Sequence, residues 1–257
     1  MTMKDTIIYE HPLNEVIRVC LRLEQLFDQI DHQLNDVSLL GTRNIINNII
    51  QILQVLDRPD LKAKLAKELS HLLANLMRYG GQPDIDAVKL QSLTQQLNDL
   101  SRTFIETSGK IGNRLRDVEL LNTLRSHLAS PGGGCSFDTP VYHYWLQQPV
   151  ETRQQVINDW LKDFAQIKKA FALVLDLVRK HSKTEQKTAV HGFHQELLDP
   201  NANLRMIRIC IPREVAAYPE PSIGRHFLSV RFYSHEIENR PVQYASNLPF
   251  WVSYCNL

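Results

Sequence analysis

The sequence has no long apolar run. No window approaches the roughly 20 apolar residues that a membrane-spanning helix needs, and the N-terminus, MTMKDTIIYEHPLNE, has no apolar stretch of the kind that directs secretion. Cysteine is scarce and scattered. Cys20, Cys135, Cys210 and Cys255 make no C-x-x-C pair, so neither a zinc ribbon nor a disulfide framework is indicated, and a reducing compartment is the expected home. Charge of one sign is also missing: 29 Lys+Arg stand against 28 Asp+Glu, a net charge of +1. A protein built for bulk nucleic acid is usually basic, so any electrostatic recognition here must come from a local patch. Internal repeats and low-complexity segments are absent too. What remains is the composition of an ordinary globular chain, 43% hydrophobic and 22% charged, expected to be cytoplasmic and long enough for one large domain or two smaller ones.

Most of the first 130 residues carry a helical period. Leu13, Val16, Ile17, Cys20, Leu23, Phe27 and Ile30 recur at three- and four-residue steps, and Arg18 and Arg22, four apart, share one side of that helix. A second helix is predicted over about 39–56, with Ile45, Ile46, Ile49, Ile50, Leu53 and Leu56 as its stripe. A third follows the Asp57-Arg58-Pro59-Asp60 junction and runs to Tyr79, ended by Gly80-Gly81. A fourth, after Pro83, carries Val88, Leu90, Leu93, Leu97, Leu100 and Phe104. Helices of about twenty residues joined by short turns favour antiparallel neighbours in a bundle. A shorter helix is predicted over 115–128.

The chain then breaks at Ser130–Leu146, SPGGGCSFDTPVYHYWL, because Pro131 lacks an N–H and three glycines disfavour a helix. Val141–Leu146 reads as helix, with Pro140 to start it. Two more helices are predicted, Val150–Phe164 and Gln166–His181, the second apolar nearly all round and buried in the bundle. From about Lys187 the character changes. Thr188–His194, Leu204–Ile211, Phe227–Tyr233 and Phe250–Tyr254 are short β-prone runs separated by Asp-Pro, Tyr-Pro-Glu-Pro-Ser and Asn-Leu-Pro turn signals. The fold class is therefore α+β: an antiparallel helical bundle domain (residues 12–183) and a smaller antiparallel β domain (residues 1–11 and 184–257). The short run Thr6–Tyr9, cut off at His11-Pro12, is expected to join the C-terminal sheet.

Catalytic chemistry is hard to place. Gly132–Gly134 is no phosphate loop, since no Gly-Lys-Ser/Thr follows and a helix rather than a strand precedes it. Cys135 as a nucleophile would need a base, for which His143 is the candidate; the structural alternative is a turn whose cysteine packs inward. His191 and His194, three apart in one predicted strand, point to opposite faces and cannot hold a metal from it. The arginines carry more weight. Arg18, Arg22, Arg58, Arg114, Arg116 and Arg231 could form a surface for carboxylates, which the planar guanidinium grips with paired hydrogen bonds, although any one of them alone reads as a solvated charge.

Two pieces of sequence are specific: EHPLNE at Glu10–Glu15 and the PGG-x-CSFD-x-P-x-x-H-x-WL run. With LDRPDLKAKLAKEL (Leu56–Leu69), IGNRLR (Ile111–Arg116), AFALVLDLVR (Ala170–Arg179), GFHQ (Gly192–Gln195) and VRF (Val230–Phe232), they fall in one order over most of the chain. In this the sequence resembles the ZapD family of bacterial cell-division proteins, which bind the tubulin-like protein FtsZ at the Z-ring. The resemblance implies a homodimer of helical and β domains, without enzymatic activity, cofactor or metal. It implies that the acidic C-terminal tail of FtsZ is bound by a basic surface and that the dimer bundles filaments at midcell, with no nucleic acid partner and no membrane insertion. A basic-surface adaptor for another acidic protein or for nucleic acid is the alternative. By motif position the tail-binding residues are Arg22, Arg58, Arg116, His143 and Arg231, with Arg18, Arg114, Arg225 and His226 as additional candidates. At Glu119 the chain departs from the family, which has a basic residue there. Either Arg114 replaces that charge or this corner of the site differs.

Overall fold

In the computed structural model, residues 5–78, 86–234 and 240–256 are described. The chain forms two compact units, Val19–Val174 and Met1–Arg18 with Leu175–Leu257, dividing within the first and last of the helices named below.

The helices are α1 (Glu15–Gln33), α2 (Leu39–Val55), α3 (Leu61–Met77), α4 (Ala87–Glu106), α5 (Asn113–Arg116), α6 (Glu119–His127), α7 (Pro140–Leu146), α8 (Val150–Lys162) and α9 (Ala165–Lys180). Their apolar stripes are those of the sequence period: Leu23, Phe27 and Ile30, Ile46, Ile49 and Ile52, Leu65, Leu69 and Leu72 are all buried. Phe27 stacks on Phe171 at 5.5 Å and meets the edge of Phe164 at 5.9 Å, so α1, α9 and the turn before α9 share one aromatic centre. Lys62 donates to the Thr107 and Gly109 carbonyls while Ser70 bonds Ser101 at 3.0 Å, which fixes α3 and α4 as antiparallel neighbours.

Caps account for several helix starts. The Asn14 side chain accepts from Ile17 N at 2.8 Å, Ser38 Oγ from Gly41 N, and Asp86 from Val88 N and Lys89 N. Pro140 opens α7 as expected, since its missing N–H is an orphan there in any case. The expected helix over 115–128 is instead two, α5 and α6, broken at Asp117-Val118. The Asn122 side chain takes up the Arg116 carbonyl that the break frees. Helix α3 ends at Met77; the predicted stop at Gly80-Gly81 lies outside the described residues. Helix α9 is one-sided rather than apolar all round: Ile167, Ala170, Phe171 and Val174 are buried, whereas Ala172 is exposed and Asp176 pairs with Lys180.

The β unit holds two antiparallel sheets. One runs in the order β1 (Thr6–Pro12), β4 (Met206–Pro212), β7 (Leu248–Cys255), β2 (Ser182–Ala189). The other runs β3 (Phe193–Leu197), β6 (Phe227–Ser234), β5 (Ala217–Ile223). The N-terminal strand does join the C-terminal sheet, with Tyr9 opposite Ile209 and Ile209 opposite Val252. Leu228, Val230 and Phe232 of β6 and Phe250 and Val252 of β7 share one core, where Phe232 meets Phe250 edge-on at 4.9 Å.

Three strand expectations need correction. β1 is not cut off at His11-Pro12 but includes both, with Pro12 opposite Met206; it is an edge strand, where proline is tolerated. Tyr-Pro-Glu-Pro-Ser is not a turn but most of β5, also an edge strand. Pro219 and Pro221 are two apart, so their missing donors fall on one side, and they deny that edge to a further strand. Thr188–His194 is not one strand. Val190 and Phe193 exchange backbone hydrogen bonds around His191 (φ 49°) and Gly192 (φ 71°), the left-handed pair of a tight hairpin turn joining β2 to β3. A side chain at 192 would come within 2.3 Å of the Tyr244 carbonyl, so only glycine fits.

Candidate functional site

Of the candidate residues, Arg22, Arg58, Arg114, Arg116 and His143 lie in the helical unit, and Arg18, Arg225, His226 and Arg231 in the β unit. Each set has its own geometry.

In the helical unit the α2–α3 junction is the centre. Asp57 accepts from Lys110 Nζ at 2.8 Å, from Arg116 Nη1 at 3.2 Å and from Arg125 Nη2 at 2.9 Å. Three cations thus share one carboxylate, so the corner keeps a positive excess; Arg58, the next residue in the chain, lies near Asp60 and helps lower its pKa. Arg116 is the most enclosed. Its Nη2 donates to the Leu53 carbonyl, its buried Nε has no acceptor among the described residues, and burial lowers its pKa. Arg125 and Lys110 are the open members. Hydrogen bonds from Lys110 and then Arg125 hold the Asp57 carboxyl down at about 2. Its folded value is depressed, so its stabilising contribution is present above the ordinary carboxylate range and is lost as pH falls from about 4 towards 2. The stability gap between the protein and its Asp57→Asn variant, measured by urea unfolding, is expected to be open at pH 7 and closed at pH 2.

Arg114 lies differently. Its Nε reaches both Asp163 carboxylate oxygens at 3.0 Å, and Nη1 reaches Asp159 at 2.9 Å. The guanidinium is committed to two carboxylates, which raise its pKa, Asp163 foremost. Glu119 sits in the first turn of α6, where a negative charge favours the helix end, and it accepts from Thr123 Oγ1.

His143 is exposed on α7. Tyr142 on the same helix is buried, its hydroxyl pushed up to about 12, and stacks on Trp145, which stacks on Trp160 of α8. With that face anchored, the open face shows Val141, His143 and Tyr144, and Phe137 nearby is 81% exposed. The glycine run is a structural turn: Gly132 and Gly134 have φ 72° and 84°, and a side chain at Gly133 would lie 1.8 Å from the His127 carbonyl. Cys135 is exposed rather than packed inward, and its thiol donates to the Gly132 carbonyl, not to His143.

In the β unit, Arg231 projects from the open face of β6, its guanidinium 5.6 Å above the Phe193 ring of β3. Arg225 and His226 are exposed in the β5–β6 turn, and Arg18 is exposed on α1. The two histidines expected to share a strand are split by the hairpin: His191 is in the turn and His194 in β3. No group of three metal-ligating side chains occurs among the described residues.

Sequence reasoning passed over Asp57 as the acceptor that Arg116, Arg125 and Lys110 share, and Asp159 and Asp163 as the partners of Arg114. The local signal for the first was present in LDRPD. The rest are 45 to 68 residues apart in sequence and carry no local signal.

The fold and these surfaces define a two-unit α+β protein with exposed cationic corners. A family model described as ZapD: Cell division protein matches residues 21–231. The chain is similar to Cell division protein ZapD of Methylococcus capsulatus, 36% identical over 255 residues, 99% of this chain and 100% of the relative. It is likewise similar to those of Coxiella burnetii, 34% identical over 98% of both chains, and Dechloromonas aromatica, 34% identical over 98% of this chain and 100% of the relative. This chain belongs to the ZapD family. That gives it a role in cell division and sets it outside the enzyme families. Among the described residues no helix is long and apolar enough to cross a membrane.

Proposed function

We propose that this protein is a cytoplasmic adaptor that binds the acidic C-terminal tail of FtsZ and, as a homodimer, cross-links FtsZ filaments at the midcell Z-ring. The observation that carries this reading is the excess of positive charge around Asp57, to which Arg116 belongs and which Arg58 follows in the chain. An extended acidic segment supplies carboxylates that such a corner can hold with charge-assisted hydrogen bonds. Arg231, set beside the Phe193 ring, offers a second cationic contact with an apolar neighbour. The open face of α7, with His143 between Val141 and Tyr144, offers apolar contacts of the kind that fix a peptide's register. Two copies of the site on one dimer turn weak single contacts into lateral bundling through effective concentration.

Co-sedimentation with FtsZ polymers at low speed tests the proposal. Added protein is expected to carry polymers into the pellet when FtsZ has its tail and to leave them in the supernatant when the tail is deleted. Equal pelleting with and without the tail would overturn the tail as the contact, and absence of pelleting would overturn the cross-linking.

A further inference from the structure

A second cationic feature of the helical unit lies apart from the Asp57 corner and does not depend on the FtsZ reading. Arg153 of α8 is only 5% exposed, yet no carboxylate lies within ion-pair range of it among the described residues. Its partners are neutral: Nε donates to the Gln148 carbonyl at 3.1 Å, Nη1 to Thr42 Oγ1 at 2.5 Å and Nη2 to the Val37 carbonyl at 3.3 Å. A guanidinium has five N–H groups. Among the described residues, one on each terminal nitrogen is therefore left without an acceptor. These contacts tie the segment before α2 to the start of α8, but acceptors without charge do not offset the burial of a cation.

The same arginine lines a cavity of about 300 Å³ whose wall also includes Thr42, Ile45, Val150 and Ile157. The first turns of α2 and α8 both border it, so two helix dipoles add positive potential. Ile45 and Ile157, each 3% exposed, make part of the wall apolar. Asp36 is the one acidic residue on the wall, but its carboxylate is bound to Ser38 N at 2.9 Å, at the entrance to α2, and does not pair with Arg153.

We propose that this cavity is a binding site for a carboxylate carried on a short aliphatic body, the carboxylate meeting the free N–H groups of Arg153 and the aliphatic part lying against Ile45 and Ile157. The carboxylate comes either from an acidic side chain of a peptide or from a free small carboxylic acid.

The test is a titration of the full chain with butyrate, followed by amide and Arg Nε–H NMR signals, against chloride at matched ionic strength. Butyrate is expected to shift the Arg153 Nε–H and the Val37 and Thr42 amides saturably, in the millimolar range. Asp36→Asn, which keeps the oxygen that caps Ser38 but removes the repelling charge, is expected to tighten binding about threefold. Val150→Phe, which puts a larger side chain on the cavity wall and keeps the Arg153 guanidinium, is expected to abolish saturation. Shifts that are linear and equal to those with chloride would overturn the site, as would saturation that neither variant alters. Capped Leu-Glu-Leu then identifies the source. Displacement of butyrate at lower concentration supports the site with a peptide carboxylate as occupant; failure to displace it supports the site with a free acid.

Discussion

Reversing the charge of Arg22 or of Arg231 is expected to weaken binding of a labelled FtsZ tail peptide about tenfold each, read as a shifted midpoint in fluorescence anisotropy. These two positions are the clean ones. Both side chains are exposed and neither makes an ion pair among the described residues, so Arg22→Glu and Arg231→Glu remove attraction without opening a network of the fold. Arg116→Glu would put two carboxylates side by side at Asp57 and confound binding with stability. Arg114→Ala is the contrast. Its guanidinium is held by Asp159 and Asp163, so its loss is expected to leave the midpoint where it was. Binding should also weaken steadily across a salt series. A midpoint indifferent to both reversals would move the tail contact away from these arginines, and Glu119 and the glycine turn would be the next places to test.

The second large effect concerns the fold. Glu10→Gln is expected to destabilise the protein by about 2 kcal/mol, seen as a lower urea midpoint, because it leaves two arginines without their anion. Glu10 on β1 accepts from Arg179 Nε and Nη2 at 2.8 and 2.6 Å, a paired fork, and makes an ion pair with Arg208, whose Nε lies 3.0 Å away without hydrogen-bond geometry. All three are mostly enclosed, with side chains 18%, 27% and 14% exposed, which places the effect below that of a fully buried pair but above that of a surface one. A change within about 0.5 kcal/mol would show that the triad adds nothing beyond the sheet hydrogen bonds. The triad also explains two pieces of the family resemblance. The Glu of EHPLNE and the Arg of AFALVLDLVR lie 169 residues apart and meet as an ion pair, while the Asn of EHPLNE caps α1. In these two motifs, Glu10, Arg179 and Asn14 hold the fold.

The helices were largely legible in the chain because helical burial is written in a local period. Leu23, Phe27 and Ile30 must face one way whatever they pack against, and Pro140 announces a start with chemistry confined to one turn. The apolar alternation of Leu228, Val230 and Phe232 was legible for the same reason, as was the placement of Arg231 on the opposite face. The sequence by itself thus determined the fold class, the family and the exposure of the solvent-facing arginines. Only the tertiary structure decided which strands are edges. A proline inside a central strand removes a ladder hydrogen bond but one at the rim does not, so β1 and β5 keep theirs, while the central strands β4 and β7 carry proline only at or beside an end, at Pro212 and Pro249. It alone separated Arg116, which shares Asp57, from Arg114, two residues away and bound by two aspartates, and it alone left Arg153 buried with no counter-charge among the described residues. A charge is recorded in the sequence, but whether it is free, paired or stranded depends on carboxylates far along the chain, and folding sets those distances.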